Sequence, residues 1–157
     1  MRKPRGLTLI ELVIIIAILG VLLALGIGYL GSDRLAVNQA AQSLAAQVTR
    51  ARLEAIRRNS FVGIQFGTQG FGGYVVFVDA NRDGTFNPGE TVVQSVTFGQ
   101  GDWARVRLTA VSGASTLVFD PRGIPTSFTP STVTLGNRAG TYSKTVQISG
   151  QGRASVQ

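Results

Sequence analysis

The chain has 157 residues, with 15 lysines and arginines against 8 aspartates and glutamates, and its formal net charge is +7. It contains neither cysteine nor histidine, which excludes disulfides, thiolate nucleophiles, cysteine-ligated metals and histidine acid–base chemistry. Apolar residues make up 44% of the chain, but charged residues only 15%, below the roughly 25% of soluble domains. Part of the chain is therefore expected to lie outside water, and an enzyme is the least supported class of function.

The first predicted element is an apolar helix that follows a short basic leader. Residues 1–6 hold three cations, and residues 12–32 contain no charged side chain. About 20 apolar helical residues cross a bilayer core, so residues 7–31 are predicted to be a transmembrane segment. The leader cations predict a cytoplasmic N-terminus and export of the rest of the chain. The alternative is a secretory signal peptide, whose apolar core is shorter, about 7–15 residues, and is followed by a small-residue cleavage site.

Glu11 is the ionisable residue within this apolar region. A carboxylate inside a membrane helix costs about 2.5–3.5 kcal/mol, so such a residue usually has a partner and a role. Because Glu11 lies about one helical turn inside Leu7, its side chain can alternatively reach the headgroups. Cleavage after Gly6 would place a free amine near Glu11, which provides a partner within one subunit or between two.

The stretch Gly6–Leu12, which reads GLTLIEL, closely resembles the class III signal of type IV prepilins and type II secretion pseudopilins. The resemblance implies that a prepilin peptidase cuts between Gly6 and Leu7 and N-methylates Leu7, although most members have phenylalanine there. It also implies that Glu11 pairs with the N-terminal amine of a neighbouring subunit. The partners it implies are other pilins or pseudopilins, the prepilin peptidase, an inner-membrane assembly platform and the lipid bilayer.

Residues 32–59 are predicted to continue the helix as an amphipathic segment, with an interruption or a new cap at Ser32 and Asp33. Residues 35–59 lack glycine and proline, and one apolar stripe recurs at spacings of three and four. The stripe consists of Val37, Ala41, Leu44, Val48, Ala51 and Ala55. Four arginines surround Glu54 near the helix end, where cations suit the helix dipole; binding of a partner is the alternative.

After Ser60 the sequence consists of β-branched and aromatic runs separated by glycine, proline, asparagine and aspartate. Seven or eight short strands without an intervening helix predict an antiparallel β domain over residues 60–157. The fold class is therefore α+β and pilin-like, with a long N-terminal membrane-spanning helix packed on an antiparallel β head. The runs are Phe61–Phe66, Gly73–Val78, Thr91–Phe98, Ala104–Val111, Thr116–Phe119, Thr132–Leu135, Thr141–Ile148 and Arg153–Val156.

Two stretches resemble one branch of this family, the GspH/FimT minor pseudopilins and minor pilins. Residues 44–59 read LAAQVTRARLEAIRRN, similar to the helix end of that branch. Residues 119–123 read FDPRG and resemble its F-x-P-x-G turn.

The segment Asp79–Glu90 fits the calcium-loop pattern D-x-[DN]-x-[DN]-G-x5-E. Calcium takes six to eight oxygen ligands. The candidate ligands are Asp79, Asn81, Asp83, the Thr85 carbonyl and Glu90. Strands rather than helices flank the segment, and Asn-Arg-Asp-Gly and Asn-Pro-Gly are turn sequences. A hairpin loop without a metal is therefore the alternative, and calcium is the one candidate cofactor.

The C-terminal part of the chain is basic, which makes it a candidate nucleic-acid footprint. The candidate DNA contacts are Arg105, Arg107, Arg138, Lys144 and Arg153. The tail Gly152–Ser155 resembles the start of the G-R-x-R element with which FimT-like pilins bind DNA, but Ser155 stands in place of its second arginine. An ordinary solvated basic face is the alternative, since no run of interleaved aromatic residues supports stacking on bases.

The sequence therefore predicts a structural protein, a minor pilin or pseudopilin assembled through its hydrophobic helix into a type IV pilus or a type II secretion filament. A DNA-binding minor pilin for natural transformation is the second hypothesis. The predicted location is the inner membrane, crossed once, with the β head in the periplasm or outside the cell.

Overall fold

The computed structural model of this protein describes residues 8–127 and 129–157, and it leaves the side chains of residues 24–32 undescribed. The chain divides into two compact units, Met1–Ser32 and Asp33–Gln157. The single α-helix of the described residues, α1, spans Leu9–Arg58.

In the first unit, the apolar side chains of α1 between Leu9 and Leu23 are exposed, with fractions from 44% at Ile15 to 81% at Leu9. Among the described residues, no helix combines the length and the apolar character needed to cross a membrane. Leu7 and the side chains of residues 24–32 lie outside the description, so the predicted segment 7–31 is only partly described.

The expected interruption of the helix at Ser32 and Asp33 is wrong. The backbone is helical through both residues, and α1 has no break there. A serine or aspartate caps a helix only where the preceding backbone is non-helical, and a glycine-rich stretch such as residues 26–31 lowers helix propensity without forbidding helix.

The second unit contains the eight strands of the described residues, which confirms the predicted β head. Their bounds lie close to the predicted ones, with β6 longer than expected at both ends. The strands are β1 Val62–Gly67, β2 Gly73–Val78, β3 Val92–Thr97, β4 Val106–Gly113, β5 Thr116–Phe119, β6 Ser131–Asn137, β7 Ser143–Ile148 and β8 Ala154–Val156. A 3₁₀ turn at Gly101–Trp103 precedes β4.

The strands form two four-stranded sheets in which every described pairing is antiparallel. Sheet 1 has the order β3-β2-β1-β5, and sheet 2 has the order β4-β6-β7-β8. Sheet 2 is in register with Val106 opposite Asn137 and Gly136 opposite Ser143. One end of sheet 2 is thus formed by the start of β4, the end of β6 and the start of β7.

A single apolar cluster joins the helix to both sheets. All six members of the predicted stripe on α1, from Val37 to Ala55, are buried in it, which confirms the amphipathic segment. Ile64 and Phe119 contribute from sheet 1, and Leu135 and Ile148 from sheet 2. Burial of this stripe holds the second half of α1 against the two sheets, because burying apolar side chains contributes about 25 cal/mol per Å².

Candidate functional site

The N-terminal motif builds a helix cap in addition to any role in assembly. The Thr8 backbone N–H donates to Glu11 Oε2 at 3.1 Å, and the Thr8 hydroxyl donates to the same oxygen at 3.0 Å. In return, the Glu11 N–H donates to Thr8 Oγ1 at 3.3 Å. This reciprocal pattern is a capping box. Thr8 and Glu11 also match its sequence signature, T-x-x-E. Gly6 and Leu7, the predicted cleavage and methylation sites, lie outside the described residues.

The acidic loop between β2 and β3 is held by its own side chains. Asp79 Oδ2 accepts the Gly84 N–H at 3.0 Å, and Asp83 Oδ1 accepts the Thr85 N–H at 2.8 Å. Asn87 Nδ2 donates to Asp83 Oδ2 at 2.7 Å and to the Thr85 carbonyl at 3.0 Å. The Thr85 N–H and then the Asn87 amide hold the pKa of Asp83 below its usual value.

Glu90, the last predicted calcium ligand, closes the loop by accepting two backbone N–H groups. Its Oε1 accepts the Ala80 N–H at 3.0 Å, and its Oε2 accepts the Asn87 N–H at 2.9 Å. Among the described residues, no three aspartate or glutamate side chains lie together in a group that could hold a metal. Asp79 is 3% exposed, and its Oδ1 has no hydrogen-bond partner among the described residues. Calcium binding stays a prediction.

The loop also covers an apolar patch on the outer face of sheet 1. The Phe77 ring lies over Gly63, where a Cβ would come within about 2.5 Å of the ring. Phe86 of the loop packs on Phe77 with ring centroids 5.4 Å apart, and its N–H donates to Gln65 Oε1 at 2.9 Å. Covering Phe77 is therefore a structural role of the loop.

The structure divides the predicted DNA contacts between the two ends of sheet 2. Arg105, Arg107 and Arg138 lie where β4 starts and β6 ends, and the Arg138 N–H donates to the Arg105 carbonyl at 3.2 Å. Arg153 lies in the turn between β7 and β8 at the other end, where its carbonyl accepts the Ser149 N–H at 2.8 Å. The seven residues of β6 separate the ends by roughly 20 Å.

The predicted set also occupies different faces of sheet 2. Lys144 is opposite Leu135, whose side chain is buried under α1, whereas Arg107 is opposite Gly136, the next residue along β6. Since successive residues of a strand point to opposite faces, Lys144 and Arg107 lie on opposite faces. The five candidate DNA contacts therefore do not form one surface.

At the far end of sheet 2, Arg153 lines a groove of about 860 Å³ together with Arg52 of α1. Thr49, Ser131 and Ser155 also line it, and none of the described lining residues is an aspartate or glutamate. The described residues provide no hydrogen-bonding or ionic partner for either guanidinium. Arg52 is not among the DNA contacts predicted from the sequence, because its position in the chain groups it with the arginines around Glu54.

Arg57 and Arg58 lie in the last turn of α1, where cations suit the helix dipole. Arg57 and Arg58 contact Glu54 Oε2 at 2.7 and 2.8 Å. These exposed pairs lower the pKa of Glu54, chiefly through the hydrogen bonds from Arg57 and then Arg58. They stabilise the helix end, and Arg52 takes no part in these pairs.

Two glycines of the family-like stretches have clear structural reasons. Gly123 has φ +75°, and a Cβ there would lie about 2.7 Å from Ile56 of α1. Gly152 also has φ +75°, and its Cβ would lie about 2.5 Å from the Phe119 ring. Asp120 holds the first turn by accepting the N–H groups of Arg122 and Ile124, each at 2.9 Å.

The α1 helix, the two antiparallel sheets and the N-terminal motif define a protein of the pilin and pseudopilin class. The chain matches the prokaryotic N-terminal methylation motif over residues 1–27 and the family described as type II transport protein GspH over residues 40–152. It belongs to the GspH family, and it is a minor pilin or pseudopilin of the type IV pilus or type II secretion kind.

The chain is also similar to individual pilin-like proteins and minor pilins. The chain is 54% identical over 156 residues to the pilin-like protein PilA1 of Thermus thermophilus, a match that covers 98% of each chain. Its fold is similar to that of the minor pilin FimU of Pseudomonas aeruginosa, with a TM-score of 0.54 and 20% identity over 80% of this chain and 91% of that one. A second crystal form of FimU gives a TM-score of 0.52, with 19% identity over 76% of this chain and 91% of FimU. The likeness to FimU concerns the fold alone.

Proposed function

We propose that this protein is anchored in the inner membrane by residues 7–31, exports its β head and enters a filament through the apolar half of α1. The observation behind the proposal is the contrast along one helix: side chains from Val37 to Ala55 are buried in the head, whereas those from Leu9 to Leu23 are exposed. Leaving so many apolar side chains in water is unfavourable. Lipid before assembly and neighbouring subunits afterwards are the environments that cover them.

Processing of the leader tests this proposal. We expect mass spectrometry of the protein from its native membranes to show a chain that starts at N-methylated Leu7. Gly6→Val should retain the leader and stay out of filaments, whereas Pro4→Ala, a leader change away from the cleavage site, should be processed normally. An intact leader on the unsubstituted protein, or an unmethylated Leu7 where the peptidase is active, would contradict the proposal.

DNA binding is the second candidate function, and the Arg52–Arg153 groove is the observation that favours it. Two guanidinium groups without a partner among the described residues, in a groove that no described carboxylate lines, suit a phosphodiester backbone. Arg153 is the one residue of the groove that belongs to the five DNA contacts predicted from the sequence. The candidate DNA site therefore differs from the predicted one and includes Arg52 of α1. The proposed ligand is bound through phosphates and without base specificity.

Salt-dependent binding to short duplex DNA tests the groove. For the full-length protein in neutral detergent, we expect Arg52→Gln with Arg153→Gln to weaken binding and to reduce the slope of log K against log salt by about 2. The matched control, Arg107→Gln with Arg138→Gln, removes the same charge at the other end of sheet 2 and should change the slope little. Equal losses in both double variants would indicate a diffuse effect of net charge and exclude the groove as the DNA site.

A further inference from the structure

The end of sheet 2 opposite the groove is surrounded by cations that the proposed functions leave unexplained. These cations, here called the basic collar, flank the strand ends on both faces of the sheet, with Arg107 on one face and Lys144 on the other. They are Arg34, Arg105, Arg107, Arg138 and Lys144. The carboxylates at the same end are Asp33 and Asp102. The collar is therefore clearly positive at neutral pH.

The collar lies where the chain enters the head from the apolar half of α1. Asp33, the first residue of the second unit, accepts from Arg105 Nη1 at 3.1 Å and from Asn137 Nδ2 at 3.3 Å. Five residues later, Asn38 Oδ1 accepts the Tyr142 hydroxyl at 2.8 Å. These contacts fix the end of sheet 2 beside the first residues that follow the apolar segment.

Aromatic side chains accompany the cations. The Arg34 guanidinium lies over the Tyr142 ring at 5.4 Å, and that of Arg138 over the Phe71 ring at 4.7 Å. Phe71 is 37% exposed, and the half-buried Trp103 is two residues before Arg105. Cations mixed with tyrosine and tryptophan are the composition found at the water interface of membrane proteins.

We propose that the basic collar docks the head on anionic lipid headgroups before the subunit enters a filament. The inference rests on the proposed membrane anchoring of α1. Lipid is favoured over DNA as the occupant because Asp33, which Arg105 of the collar contacts, closely follows in the chain the segment that is proposed to be anchored in the membrane. Docking holds the subunit at the bilayer surface, and it ends when the head leaves the membrane with the growing filament.

Trp103 is the single tryptophan of the chain and reports on the collar directly. The experiment reconstitutes the full chain into vesicles of neutral phosphatidylcholine or with about one-third phosphatidylglycerol, each containing a lipid spin-labelled on its headgroup. We expect stronger quenching of Trp103 in the anionic vesicles, and loss of the difference at about 1 M salt, where the Debye length is about 3 Å. Co-flotation of protein with vesicles measures anchoring separately, so failure of anchoring and failure of docking are distinguishable.

Charge-matched variants locate the docking surface. Each removed cation should shift the ratio of docked to undocked heads about five-fold, so Arg107→Gln with Arg138→Gln should abolish the excess quenching. Arg52→Gln with Arg153→Gln, at the other end of sheet 2, should leave it unchanged. Arg107→Gln with Lys144→Gln is a second collar variant that keeps the contact between Arg138 and Phe71.

Three outcomes overturn the proposal. Quenching that is equal in neutral and anionic vesicles, while the protein floats with both, excludes docking on anionic lipid. A loss of quenching in the groove variant as large as in both collar variants excludes the collar as the docking surface. Duplex DNA that binds the protein in neutral vesicles, and whose binding the collar variants alone abolish, identifies the collar as a nucleic-acid surface instead.

Discussion

Replacing Leu44 with alanine is expected to lower the free energy of unfolding of the head by about 2–5 kcal/mol, because it leaves a cavity in the apolar cluster. Leu44 is 0% exposed and lies in the stripe of α1 that joins both sheets. Leu53, on the same helix, is 59% exposed. Leu53→Ala makes the same chemical change without a cavity, so its effect should stay within about 0.5 kcal/mol.

Thermal unfolding of the full chain in detergent, followed by Trp103 fluorescence, measures both variants. For a head of this size, Leu44→Ala should lower the melting temperature by about 10 °C, and Leu53→Ala by less than about 2 °C. Equal shifts in the two variants would contradict the packing described for α1, since they would show that its buried and exposed faces contribute alike.

The features that sequence could predict are those set by near neighbours in the chain. The stripe from Val37 to Ala55 follows from helical periodicity, and the strands follow from alternating β-branched runs between turn residues. Thr8 and Glu11 are three residues apart, so their capping box was equally predictable. The wrong interruption at Ser32 and Asp33 shows the limit of such rules, because a capping residue can lie within a helix.

The groove and the collar could not be predicted, because both depend on the order of strands. Arg52 and Arg153 lie far apart in the sequence and line one groove because the turn before β8, the edge strand of sheet 2, comes near α1. Arg105 and Arg153 looked equivalent as members of one basic region, yet sheet 2 places them at opposite ends. The acidic loop is similar: its motif is local, but the cover it gives to Phe77 depends on Gly63 in another strand.

Glu11 has two separable physical roles, a helix cap and a charge. Its carboxylate accepts two hydrogen bonds from Thr8 in the single chain, and the family resemblance implies that it pairs with the N-terminal amine of a neighbour. Glutamine fits the capping position as well as glutamate does, but it has no charge. Glu11→Gln therefore removes the charge and keeps the cap, whereas Thr8→Ala removes the hydroxyl of the cap and keeps the charge.

Glu11→Gln is expected to abolish incorporation into filaments, because a buried amine left without its carboxylate costs about 3–5 kcal/mol, a factor of at least about one hundred. Thr8→Ala should cost about 0.5–2 kcal/mol and leave measurable incorporation. The measurement is the fraction of subunit in sheared filaments relative to membranes, with the melting temperature of the head as the control for folding. Normal assembly of Glu11→Gln together with failure of Thr8→Ala would assign Glu11 to the cap and exclude the charge pair.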